Sequence, residues 1–142
     1  MQSAASETWT QPNDKEWKER LTEEQYKVLR KEGTERAGTS PLNREKRDGV
    51  FVCAGCGQHL FSSKTKYESG TGWPSFYDPL PGAIETKTDY KLLFPRTEYH
   101  CSRCGGHQGH VFTDGPKPTG KRYCNNGVAL TFIPDEPNQP SE

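Results

Sequence analysis

No stretch of this 142-residue sequence stays apolar for anything like the length of a membrane span, and Met1 to Gln11 lack the basic-then-apolar order of a secretory leader. Neither sign of charge is in excess. Nineteen Lys and Arg balance nineteen Asp and Glu, which removes the usual electrostatic ground for a nucleic-acid or membrane-surface partner. Hydrophobic residues are also few, at 30% against 27% charged. One domain with one modest core is therefore expected, and a staple beyond the hydrophobic effect would help it. The five cysteines are an odd number, and two CxxC pairs in such a chain fit a reducing compartment. The chain reads as a cytoplasmic protein.

Residues 1–12 are polar, contain Pro12 and show no periodicity, so they read as a disordered tail. Asn13 or Asp14 is placed to cap a helix whose apolar face includes Trp17 and Leu21. A second start follows at Thr22, with Gln25 completing a capping box, then Tyr26, Val28 and Leu29, basic Arg30 and Lys31, and Gly33 as the stop. These short helices are expected to cover one side of the domain. Residues 34–48 read as an irregular surface segment. Beyond them the apolar clusters at 50–52, 60–61, 92–94, 111–112 and 128–133 are short and bounded by Gly, Pro and Asn, which predicts antiparallel strands and not βαβ units. Residues 134–142 read as a second disordered tail, which leaves one domain over 13–133.

Cys53 and Cys56 form one CxxC and Cys101 and Cys104 another, each followed directly by glycine. Two such knuckles supply a closed tetrahedral shell of four thiolates, which points to one structural zinc ion. A redox dithiol or an iron centre is the alternative. The stretch from Gly57 to His100 exceeds what a plain zinc ribbon needs between its knuckles, so something is inserted there.

The insertion contains Ser69-Gly-Thr-Gly-Trp-Pro-Ser-Phe76, a turn-rich stretch in which Trp73 and Phe76 offer apolar surface for packing or for a ligand. After the second knuckle comes His107-Gln-Gly-His110-Val-Phe112. Spacing alone leaves these histidines open as metal ligands, catalytic helpers or core residues. Cys124 stands outside both pairs. It is either a buried hydrophobe or a nucleophile, and neighbouring Arg122 and Asn126 favour the second, because a nearby cation lowers a thiol pKa.

Taken together, the two CxxC pairs, SGTGWPSF at 69–76, HQGHVFTDGP at 107–116, RYCNN at 122–126 and the helical TEEQYKVLRKEGTE at 22–35 resemble the B-type methionine-R-sulfoxide reductases. The resemblance implies a mainly β fold of two antiparallel sheets, the β-tent, with short N-terminal helices and a structural zinc away from the active site. It also implies that Cys124 attacks the sulfur of methionine-R-sulfoxide in oxidised proteins, releasing methionine and leaving a sulfenic acid. By position, Trp73 would contact the substrate methyl group, with Phe112 beside it. His107, His110 and Asn126 would polarise or protonate the sulfoxide oxygen, Arg122 would favour the thiolate, and Asp114 would hold Arg122.

Many members of that family carry a resolving cysteine where this chain has Thr71. With four cysteines assigned to zinc, Cys124 is expected to be recycled by an external thiol such as thioredoxin, acting on a monomer. Two readings compete: a zinc-ribbon binding module without catalysis, and a thiol oxidoreductase using a CxxC pair.

Overall fold

The computed structural model describes residues 10–31, 33–89 and 96–135. Helix α1 (Asp14–Arg20) begins at Asn13, whose side chain accepts from the Glu16 amide while Glu16 reaches back to the Asn13 amide. Helix α2 (Glu23–Lys31) begins with the reciprocal Thr22 and Gln25 bonds, at 2.9 and 3.1 Å. Both starts satisfy amide hydrogens that have no partner inside a helix. Trp17, Val28 and Leu29 form the buried faces.

The remaining elements are β1 (Gly49–Cys53), β2 (His59–Ser62), β3 (Lys66–Tyr67), β4 (Ser75–Phe76), β5 (Ile84–Asp89), β6 (Arg96–Cys101), β7 (His107–Phe112), β8 (Arg122–Asn125) and β9 (Leu130–Pro134), with short 3-10 turns between them. They form two antiparallel sheets, β2-β1-β9 and β3-β4-β8-β7-β6-β5. Aromatic rings join the sheets. Phe51 and Phe61 of the smaller sheet meet Phe76 of the larger one at centroid distances of 5.0 and 4.2 Å, and Tyr99 and Tyr123 extend the cluster. Pairs of this geometry add roughly 0.5–1.5 kcal/mol each beyond area burial, which suits a chain short of aliphatic residues.

The strands expected at 50–52, 60–61 and 111–112 appear within β1, β2 and β7; of the one expected at 128–133, residues 130–133 lie in β9 while 128 and 129 belong to a 3-10 turn, and the cluster at 92–94 lies outside the described residues. So do residues 1–9 and 136–142 of the two expected tails. Within the described remainder, Gln11 donates to the Cys104 carbonyl at 2.9 Å, Pro12 is buried, and Pro134 pairs with Gly49 as the last residue of β9. Residues 34–48 are irregular apart from one 3-10 turn at Pro41–Arg44, yet Glu35 and Ser40 within them are buried. Among the described residues, no helix is long and apolar enough to cross a membrane.

Candidate active site and cysteine cluster

Strand β1 ends in Cys53 and β6 in Cys101, so each knuckle emerges from the end of an interior strand, one in each sheet. Gly57 and Gly105, directly after the second cysteine of each pair, hold φ of 82° and 76°, a region where a side chain is unfavourable. The four sulfurs lie within 4.8 Å of one another, with Cys53 to Cys104 at 3.7 Å and Cys56 to Cys101 at 3.5 Å. Four thiolates about 2.3 Å from one tetrahedral ion stand about 3.8 Å apart, so the donor set fits a metal.

The four thiols also act on one another. Hydrogen bonding among them drives Cys56 and Cys101 below the ordinary thiol range and Cys53 and Cys104 above it. Four thiolates this close require a cation to ionise together. Donors already face the sulfurs: the amides of Gly55 and Gly106 approach Cys53 and Cys104 at 3.3 and 3.4 Å, and the side chains of Gln58 and Gln108 approach Cys101 and Cys53 at 3.5 and 3.4 Å. The helices also contribute, since Arg30 donates to the Cys104 carbonyl at 2.9 Å and stacks on Trp17, which lies under the first knuckle.

Cys124 sits on β8, opposite Ser75 of β4 and His110 of β7. Its thiol is half-buried in a cavity of about 150 Å³ lined by Thr34, Thr71, Trp73, Arg96, Gly109, His110, Phe112, Arg122 and Asn126. That space is below the roughly 300 Å³ at which drug-sized pockets begin and suits a single side chain. Trp73 is fixed by its indole N–H, which donates to the Glu35 carbonyl at 2.8 Å. Asn126 is held at both ends of its amide, accepting from the Glu35 amide at 2.8 Å and donating to the Gln108 carbonyl at 3.0 Å. The buried Glu35 carboxylate in turn accepts from the Gly127 amide at 2.7 Å. The segment around Glu35, which carries no periodic signal, thus fixes two walls of the cavity.

His107 is placed differently from its expected role. It is not among the residues lining the cavity; it is buried behind His110, ring centroids 5.5 Å apart, with Nδ1 2.9 Å from Glu98 Oε1. Lys87 Nζ approaches the other Glu98 oxygen at 3.3 Å. Residues three apart on a regular strand face opposite ways. Here β7 carries one extra residue between its pairings with Tyr99 and His100, and that bulge returns both histidines to one face.

Arg122 pulls the thiol in the expected direction, but its influence is outweighed. Its guanidinium is bound twice by Asp114, at 2.9 and 3.2 Å, and lies 4.3 Å over the Phe112 ring. Burial pushes the Cys124 thiol above its ordinary range, and the opposing pulls of Thr71, Arg122 and Ser75 do not overcome it. Sequence proximity to Arg122 indicated the sign of one influence but could not reveal the desolvation that outweighs it.

The SelR domain model matches residues 21–134, which include the cysteine cluster, the cavity and all nine described strands. The chain belongs to the SelR domain family. Curated relatives include a peptide methionine sulfoxide reductase MsrB of Methanosarcina barkeri, 54% identical over 131 residues, covering 92% of each chain. The enzyme of the same name from Leptospira interrogans is 54% identical over 121 residues, covering 84% of this chain and 92% of that one. A chloroplastic peptide methionine sulfoxide reductase B1 of Arabidopsis thaliana is 49% identical over 92% of this chain and 65% of its own length.

Within this SelR domain, Cys124, Trp73, His110, Phe112, Arg122 and Asn126 meet at one cavity, Asp114 stands behind Arg122, and His107 stands behind His110. Sequence reasoning did not single out Thr34, Arg96, Glu35 or Glu98. Thr34 and Glu35 lie in a segment without periodicity, and nothing local marks Arg96 or Glu98 before strand pairing brings them to this face.

Proposed function

We propose that this chain is a peptide methionine-R-sulfoxide reductase that returns oxidised methionine in proteins to methionine, a repair activity. One observation carries the reading: a half-buried thiol, Cys124, opens into a side-chain-sized cavity walled by an indole, an imidazole and a carboxamide. The two MsrB relatives and the plant enzyme support the substrate class.

The step balances on this chain's own atoms. Cys124 Sγ attacks the sulfoxide sulfur, the sulfur–oxygen bond of the substrate breaks, and the oxygen ends on Cys124 as a sulfenic acid while methionine leaves. Because burial keeps the thiol above its ordinary range, Cys124 brings the proton that the departing oxygen needs, and His110 and Asn126 are placed to donate to that oxygen. Trp73 and Phe112 take the methyl end. Arg122, oriented by Asp114, stabilises the thiolate as it forms, and His107, paired with Glu98, orients His110. An external dithiol of the thioredoxin class then attacks the sulfenic sulfur, releasing water and forming a mixed disulfide that its second thiol resolves.

Cys53, Cys56, Cys101 and Cys104 would together hold one zinc ion, which would supply folding free energy and leave the reaction to Cys124 and its neighbours. The catalytic unit is a single domain over 13–133, with Gln11, Pro12 and Pro134 packed on its edges. It acts as a monomer in the cytoplasm, where unpaired cysteines persist. Incubating the protein with a peptide containing methionine-R-sulfoxide and dithiothreitol tests the reading. Methionine should form in the parent and not in Cys124→Ser, which should retain its metal; undiminished turnover in that variant would refute it.

A further inference from the structure

The cysteine cluster and the cavity are joined by a buried polar chain that neither site requires by itself. Gln108 Nε2 donates to Cys53 Sγ at 3.4 Å, and Gln108 Oε1 accepts from Asn125 Nδ2 at 3.0 Å. Asn125 Oδ1 accepts from the Tyr99 hydroxyl at 2.8 Å. All three side chains are fully buried. Gln108 has a second grip on the cavity, because its carbonyl accepts from both the backbone amide and the side chain of Asn126, at 2.8 and 3.0 Å. It is also the extra residue of the β7 bulge, which turns its side chain inward while His110 faces the cavity.

We propose that Gln108 is a positioning residue shared by the two sites, tying a sulfur of the metal cluster to Asn125 and Asn126, the two residues that follow the reactive thiol, so that metal retention and Cys124 reactivity depend on one side chain. A buried amide left without its acceptor is costly, whereas replacing every member of the network by an apolar residue leaves nothing unsatisfied. The N–H to sulfur contact behaves differently, because no apolar replacement supplies it. The two consequences of losing Gln108 are therefore separable by mutation.

The inference rests on Cys124 being the reactive thiol, and its test does not use turnover. In zinc-loaded protein, the rate of zinc transfer to a chromophoric chelator and the rate of Cys124 alkylation by iodoacetamide are measured together, the latter by mass of the Cys124 peptide. Gln108→Leu should speed zinc transfer about tenfold through the lost charged-acceptor bond, and alkylation about tenfold through easier local opening of β8. The triple variant Tyr99→Phe/Gln108→Leu/Asn125→Leu should return alkylation to within about twofold of the parent while zinc transfer stays fast. A general loosening of the fold would move both rates together in both variants. The inference is overturned if Gln108→Leu leaves either rate within about twofold of the parent, or if the triple variant keeps both rates fast or restores both. If Gln108→Leu does not fold, the triple variant decides by the same criterion. Failure of the reductase reading would appear separately, as absence of methionine production by the parent.

Discussion

Thr71 Oγ1 stands 3.8 Å from Cys124 Sγ, within the network that joins Ser69, Thr71 and Ser75 beside the thiol. Among the described residues the other four cysteines all belong to the four-cysteine cluster, so the neighbour of the Cys124 thiol is a hydroxyl that cannot form a disulfide. Substituting Thr71→Cys should change that outcome. A sulfur at this position needs only a small movement to reach the roughly 2.05 Å of a disulfide. Reaction with a sulfoxide peptide should then yield a disulfide between the introduced thiol and Cys124, seen in peptide mapping as a cross-link lost on reduction. No cross-link would mean that the β4–β8 framework holds the side chains apart.

The His110 imidazole lines the cavity whereas His107 stands behind it, so their removal should differ in degree. His110→Gln is expected to lower kcat/KM about 10²–10⁴-fold, the range for loss of a positioned proton donor. His107→Gln and Glu98→Gln should each lower it less. Steady-state kinetics across pH 5 to 9 checks this. Equal losses at both histidines would put His107 in contact with substrate after all.

Burial holds the Cys124 thiol above its ordinary range, and Arg122 pulls the other way. Arg122→Met should therefore raise the thiol further and slow alkylation at neutral pH. The difference from the parent should close at alkaline pH, where both thiols are ionised. A pH profile of iodoacetamide reactivity measures it. A variant that reacts faster than the parent at neutral pH would show that Arg122 acts by shielding the thiol and not by its charge.

Glu35 carries a carboxyl raised above its ordinary range by burial while its oxygen accepts from the Gly127 amide. A raised acid contributes stability that is fully present below its unfolded pKa and is lost as pH rises through the folded value. Glu35→Gln keeps the acceptor oxygen without the titration, so its stability relative to the parent should improve from pH 4 to pH 7. Glu35→Ala should instead cost about 1–3 kcal/mol at pH 4, through the unsatisfied Gly127 amide, and less at pH 7, because it removes the same titration. Denaturant midpoints at the two pH values distinguish these outcomes.

Removing metal from the cysteine cluster should lower the thermal midpoint by about 10 °C or more, given the share of folding free energy such sites supply. Differential scanning calorimetry before and after chelation checks it, and re-addition of zinc should restore the midpoint.

The parts legible in the sequence were those set by local rules. Asn13 and Thr22 declared the helix starts, the CxxC-Gly repeats declared the cluster, and the apolar runs of β1, β2 and β9 declared most of the smaller sheet. The larger sheet was harder to see because its cavity-facing side carries polar residues. Glu98, His110, Arg122 and Cys124 occupy one face of β6, β7 and β8, and β5 is an exposed edge strand of sequence IETKTD. Such strands lack the apolar runs by which a strand is recognised. The face taken by His107 depended on a one-residue bulge, and the balance at Cys124 depended on burial, neither of which spacing encodes.

If Cys124 takes the sulfoxide oxygen and keeps it until an external thiol arrives, a single turnover without reductant must leave that oxygen on its sulfur. Mass spectrometry of the zinc-loaded protein after single turnover with a methionine-R-sulfoxide peptide, without reductant, tests it most directly. One methionine released per chain and one oxygen added at Cys124, trapped by a sulfenic-acid reagent, is the predicted result. A disulfide between Cys124 and Cys53, Cys56, Cys101 or Cys104, or oxygen on any other cysteine, would contradict it.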